Sequence, residues 1–118
     1  MFIRTMLIDD HEVVRRGLAE LLSAEADIEI VASLGSVGEA LEADLSSVDV
    51  AVVDVRLPDG DGIDLVRRLR SQLPNLHCLV LTAYEDDDAL LDAHAAGASA
   101  YLLKQVRGTD LVRAIRTV

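Results

Sequence analysis

The chain is 118 residues long, 51% apolar but only 3% aromatic, with a formal net charge of −10. That is enough for one aliphatic core and no second domain, and the acidic balance opposes gripping a nucleic-acid backbone, which takes Lys and Arg. No charged-then-apolar leader opens the chain and no apolar stretch reaches membrane-spanning length, so a soluble cytoplasmic protein without a membrane partner is expected.

Short apolar runs alternate with longer stretches of helical period, five times over, with no linker or low-complexity segment between them. Thr5 to Ile8 reads as a buried strand that ends at Asp9 and Asp10. Val14, Leu18, Leu21 and Leu22 then recur at helical spacing, before a second strand over Ile28 to Ala32. Ser36 with Glu39 three residues on makes a capping box, and Val37, Ala40, Leu41 and Leu45 form the stripe of a second helix. Val50 to Val53 is the third strand and delivers Asp54 at its end. Arg56-Leu57-Pro58-Asp59-Gly60-Asp61-Gly62 reads as a long turn, and Ile63, Val66, Leu69 and Leu73 carry a third helix that Pro74 stops.

His77 to Leu81 is the fourth strand, with Thr82 its last residue, and Cys78 within it reads as a small buried thiol. Glu85 to Asp88 puts negative charge at the start of a fourth helix, where the helix dipole favours it, and Gly97 closes that helix. Ala100 to Leu103 is the fifth strand and Lys104 its end. Thr109 caps a last helix with Leu111, Val112, Ile115 and Val118 on one face. Five such units fit an α/β, flavodoxin-like (βα)5 doubly wound fold with parallel strand order 2-1-3-4-5.

In an open parallel sheet, ligands bind beyond the carboxyl ends of the strands, at the switch between the first and third. Those two strands end in Asp9, Asp10 and Asp54. Carboxylates so close repel one another, and a hard divalent cation such as Mg2+, which takes oxygen ligands and works beside phosphate, relieves the repulsion. Thr82 and Lys104 project onto the same end of the sheet. Taken singly, each has a plainer reading: Asp-Asp as a helix cap, Thr82 as a strand end, Lys104 as a solvated lysine, Tyr101 as a half-buried aromatic. Together they read as an acidic, phosphate-handling site. His11 has no partner at metal-ligand spacing in His77 or His94, and Arg67, Arg68 and Arg70 read as an exposed helix face.

With Asp9-Asp10, Asp54, Thr82-Ala83, Tyr101 and Lys104 in order on these elements, residues 1–118 resemble the receiver domain of bacterial two-component response regulators. Asp9 to Leu18, Asp54 to Gly60 and Ala96 to Tyr101 look like the NarL/FixJ (LuxR-type) branch, with the actinobacterial dormancy-regulator type a candidate within it. The resemblance implies that Asp54 is the phosphoacceptor, taking its phosphoryl group from a sensor histidine kinase. It implies Mg2+ held by Asp10 directly, Asp9 mostly through water, Asp54 and the backbone carbonyl of Arg56. Lys104 and Thr82 would meet the phosphoryl oxygens, with Thr82 and Tyr101 as the switch pair. It further implies a homodimer, and DNA contact only through a helix-turn-helix output domain outside this chain. Such a domain is not an enzyme acting on an outside substrate, though it promotes its own phosphoryl transfer and dephosphorylation.

Gln105 stands where the wider family often carries a proline, in many members after a cis bond; a cis bond before a non-proline residue costs about 3 kcal/mol. This keeps a phosphorylation-independent interaction module as the alternative reading. Arg56 and Tyr84, two residues beyond Asp54 and Thr82, are bulky enough to shield an acyl phosphate from water. A phosphohydrolase of the haloacid-dehalogenase type would need an aspartate where Arg56 stands, and no glycine-rich nucleotide loop is present.

Overall fold

Alternation along the strands sorts the apolar side chains into two cores, one on each face of a single parallel sheet. The computed structural model describes residues 2–83, 87–104 and 108–118. Its strands are β1 (Ile3–Ile8), β2 (Ile28–Leu34), β3 (Val50–Asp54), β4 (His77–Thr82) and β5 (Ala100–Leu103). They are joined by helices α1 (Glu12–Ser23), α2 (Val37–Glu42), α3 (Gly62–Gln72) and α4 (Asp87–Ala95), and α5 (Gly108–Thr117) follows the last strand. All neighbours pair in parallel in the order β2-β1-β3-β4-β5, the doubly wound order expected.

Met6, Ile8, Ala51, Val53, Cys78 and Val80 point to one face, where α2, α3 and α4 supply Ala40, Ile63, Val66, Leu69 and Ala93, with Ala96 just beyond α4. Leu7, Val50, Val52, Leu79 and Leu81 point to the other, against Leu22 of α1 and Leu111, Val112 and Ile115 of α5. Every residue of β3 is buried, as befits the central strand, whereas β2 alternates between covered and open positions at the sheet edge.

Several boundaries differ from the sequence reading. α2 stops at Glu42, so Leu45 lies beyond it; Leu45 is buried all the same, and Leu41 is left partly exposed. α3 ends at Gln72, with Leu73 as C-cap in a non-helical conformation ahead of Pro74, which disfavours helical geometry in the residue before it. Thr109 is the second residue of α5 rather than its cap. Glu85, Asp86, Tyr84 and Gln105 lie outside the described residues. Gly97 does close α4: at φ 98°, its N–H donates to His94 O and that of Ala98 to Ala93 O, the paired bonds of a Schellman ending. Arg70 lies against this glycine and, far from an exposed face, donates to the carbonyls of Pro74 and Leu76.

Among the described residues no helix is long and apolar enough to cross a membrane. Burial pushes the Cys78 thiol up to about 11, Arg70 opposing only weakly. A raised thiol pKa means the reactive thiolate is scarce at every pH below that value. Iodoacetamide at pH 8 is therefore expected to leave native Cys78 unmodified and to label it fully in urea, as read by intact mass.

Candidate functional site

β1 and β3 end side by side at the switch point of the sheet, and their terminal carboxylates meet there. Asp9 is 3% exposed and Asp54 5% exposed, both far more buried than an unpaired carboxylate tolerates. Lys104, at the end of β5, answers the charge: its Nζ lies 3.2 Å from Asp54 Oδ2, a hydrogen bond, and 3.2 Å from Asp9 Oδ2, an ion pair off hydrogen-bond direction. β5 carries the lysine there because it continues pairing past Thr82, whose carbonyl accepts the Lys104 N–H at 2.6 Å.

Burial, and then the Asp9 charge, raise the Asp54 carboxyl above its ordinary value; Lys104 and the Arg56 backbone N–H, which donates to it, pull the other way. Burial works against the Lys104 charge, but Asp54 and Asp9 outweigh it and hold the ammonium above its usual range.

The cap reading of Asp9-Asp10 does not hold. The N-cap of α1 is His11, with no side-chain cap bond, and Asp9 Oδ1 is turned back to accept the His11 N–H at 2.9 Å. Asp10 is left at the mouth of the site. Asp9, Asp10, His11 and Asp54 each offer a ligand atom, and these atoms lie within 4.8 Å of one another. Asp9 Oδ2 is buried and accepts no hydrogen bond. A dense set of hard oxygens with one buried acceptor still open fits a divalent cation of the magnesium class.

His11, Asp54, Arg56, Thr82, Ala83 and Lys104 line the crevice above these groups. Thr82 is buried at the end of β4, and the small Ala83 beside it leaves the approach to Asp54 open. Tyr101 stands apart from the crevice on β5; its ring packs against the core on the α2–α4 face, and its hydroxyl is shielded from solvent instead of lying in water. Gly62 abuts the end of β3 so closely that a Cβ there would overlap the carbonyl oxygen of Asp54.

Two contributors escaped the sequence reading. His11 Nδ1 lies 3.1 Å from Asp9 Oδ1 and 3.2 Å from Asp10 Oδ1, so the imidazole belongs to the acidic cluster although no histidine spacing announced it. Arg15 Nη1 donates to the Asp9 carbonyl at 2.5 Å, fixing the turn that presents both aspartates. Only its place one turn into α1, on the side of that carbonyl, could have suggested it.

Residues 5–116 match the response regulator receiver domain family, and the chain belongs to that family, in its NarL/LuxR-type branch. It is 51% identical to the DNA-binding transcriptional activator DevR/DosR of Mycobacterium tuberculosis over 98% of this chain and 54% of that protein. It is 42% identical to the transcriptional regulatory protein LiaR of Bacillus subtilis over 97% and 54%. The chain thus spans about half the length of these curated relatives. Among solved structures, the receiver domain of the NarL response regulator of M. tuberculosis superposes with a TM-score of 0.91 at 28% identity, covering 98% of this chain and 94% of that one. A LuxR-family two-component response regulator from Aurantimonas gives 0.92 at 32%, covering 99% and 84%.

Removing one partner from a buried ion pair strands the other charge. Lys104→Met leaves Asp9 and Asp54 facing each other and is expected to cost about 2 kcal/mol in urea unfolding, part of the full penalty being relieved by solvent at the crevice. In an Asp54→Asn background the same change should cost less, with a coupling of about 1–2 kcal/mol. Equal costs in both backgrounds would mean that the Lys104–Asp54 contact carries no stability.

Proposed function

We propose that this receiver accepts a phosphoryl group on Asp54 from the phosphohistidine of a sensor histidine kinase: the P–N bond breaks as a P–O bond forms, giving an acyl phosphate. The observation that carries the reading is the meeting of buried Asp54 with Lys104 Nζ at 3.2 Å and with the open acceptor of Asp9, at the end of the sheet where three elements converge. Asp10, Asp9, Asp54 and the Arg56 backbone carbonyl would hold Mg2+. When bound, the ion offsets the charge on the equatorial phosphoryl oxygens. Phosphoryl transfer asks for alignment and charge neutralisation more than for covalent help, and this chain's own groups supply both. Lys104 carries three N–H donors and gives one to Asp54 Oδ2, so another can turn to a phosphoryl oxygen while the ammonium stays beside Asp9. Thr82 offers its hydroxyl from the neighbouring strand end. The same groups would support loss of the phosphoryl group to water.

Signal output rests on Thr82 and Tyr101 as the switch pair, biasing two packings of α4, β5 and α5. The shielded Tyr101 hydroxyl and the ring packed among partly covered residues of that face support this role. Exposed Val13, Val14 and Leu21 on α1, and Leu90 and Leu91 on α4, offer apolar surface for a second copy. Transcriptional output would pass through a DNA-binding domain outside these residues, as the names of the curated relatives suggest.

Incubation with acetyl phosphate and Mg2+ is expected to add one phosphoryl group by intact mass, and Asp54→Asn or removal of the metal with EDTA to abolish the gain. If no gain appears with acetyl phosphate or with a competent histidine kinase, the phosphorylation-independent interaction module is the better reading. Arg56 stands exposed at the rim of the crevice, where it can screen the acyl phosphate from water. Arg56→Ala is expected to shorten the lifetime of the phosphoform by about tenfold, equivalent to about 1.4 kcal/mol of barrier, as followed by loss of phosphorylated mass. An unchanged lifetime would remove Arg56 as a shield.

A further inference from the structure

The loop that follows Asp54 is not a free turn. Arg56–Leu57 pairs antiparallel with Gly60–Asp61, the Gly62 N–H donates to Val55 O at 2.7 Å, and Leu57 is buried in the core. At the tip of this small hairpin, after Pro58, stands Asp59. Its Oδ1 accepts the Val37 N–H at 2.8 Å and its Oδ2 the Gly38 N–H at 2.9 Å, from residues more than twenty positions earlier.

These are the first N–H groups of α2, which have no partner inside the helix. The helix caps the third by itself, Ser36 Oγ accepting the Glu39 N–H at 3.2 Å, while Glu39 Oε2 takes the Gly35 N–H at 2.5 Å. α2 therefore closes part of its own N-terminus and leaves two donors to a carboxylate of the acceptor loop. The Gly38 and Val37 bonds hold the Asp59 carboxyl below its ordinary value, consistent with a charged acceptor. Gly60 completes the contact: a Cβ there would come within 3.1 Å of Val37 Cγ2, so the hairpin tip lies directly on the first turn of α2.

We infer that Asp59 is a positioning residue for the phosphoacceptor site: by clamping the hairpin tip to the first two N–H groups of α2, it fixes the backbone of Arg56 where its carbonyl can serve the metal. The inference rests on the reading of the site as a Mg2+ site. Arg56 is held through its ladder partner Asp61 on one side and through the anchored tip on the other. Releasing the tip leaves Asp9, Asp10 and Asp54 untouched and loosens only the carbonyl ligand. A group that merely capped α2 would affect the helix and leave the metal alone.

Isothermal titration of MgCl2 into the unphosphorylated chain separates the two. Asp59→Ala is expected to weaken Mg2+ binding about tenfold, the low end of what losing a ligand's supporting hydrogen bonds does. Asp59→Asn, which keeps one acceptor, should fall between Asp59→Ala and the unmodified chain. Ser36→Ala, which removes the helix's own cap without touching the hairpin, should stay within about twofold of the unmodified chain. On the unmodified chain, hydrogen exchange at the Val37 and Gly38 amides should slow when Mg2+ saturates, because coupling between two sites is reciprocal.

Mg2+ affinity within twofold of the unmodified chain in both Asp59 variants, or Val37 and Gly38 exchange indifferent to Mg2+, would overturn the inference and leave the site reading standing. An unmodified chain that binds no Mg2+ would overturn the site reading, and the clamp with it.

Discussion

Two carboxylates that burial forces together, and one ammonium that lets them stay, govern the C-terminal edge of this sheet. Asp9 and Asp54 come from adjacent central strands, so parallel pairing brings their ends together whatever their charge. Neither could remain there alone, because an unpaired buried charge is among the costliest groups a fold can hold. Lys104 reaches them from the far edge of the sheet. Its position depends on β5 pairing with β4 up to Thr82 and Leu103, and so on the packing of both outer units. The excess negative charge that a cation could relieve is thus set up by backbone topology and only partly offset by the lysine. A residual demand of this kind makes a polar cluster a binding site rather than a finished core element.

The scaffold around that edge divides its labour by face. α1 and α5 cover one side of the sheet with an aliphatic layer, while α2, α3 and α4 cover the other. The crevice residues all sit on strand ends or in the short connections after them, where side chains can change partners without disturbing either layer. Tyr101 is the exception, because it lies on a strand and packs into the second layer. Its ring belongs to that apolar layer and not to the crevice lining.

Sequence periodicity carried most of the fold because its signals are local. Strand alternation, the Ser36–Glu39 box, Pro74 and Gly97 each act within a few residues, and each appears in the structure close to where it was expected. What stayed hidden is what arises only in three dimensions. Asp59 looks like turn chemistry until α2 is seen to donate to it across the fold. Arg70 looks like one of three exposed arginines until its guanidinium is found folded beneath the end of α3. Thr109 has the chemistry of a cap yet lies inside α5, because capping residues also occur in the first turn, where composition alone cannot set the boundary. The acidic site was legible for the opposite reason, since strand-end aspartates are local features whose convergence follows from the strand order itself.

The Schellman ending of α4 has a mechanical consequence. The helix is seated firmly at its C-terminal end, where Gly97 turns the chain and Arg70 packs beneath it, while Leu90 and Leu91 along its middle face outward. A nine-residue helix is about 13 Å long. Fixed at the end remote from Thr82, it is geometrically a lever whose fulcrum is Gly97. A rotation of about 10° there would carry the opposite end through about 2 Å, so movement is largest beside the crevice and falls away along the outward face toward Gly97.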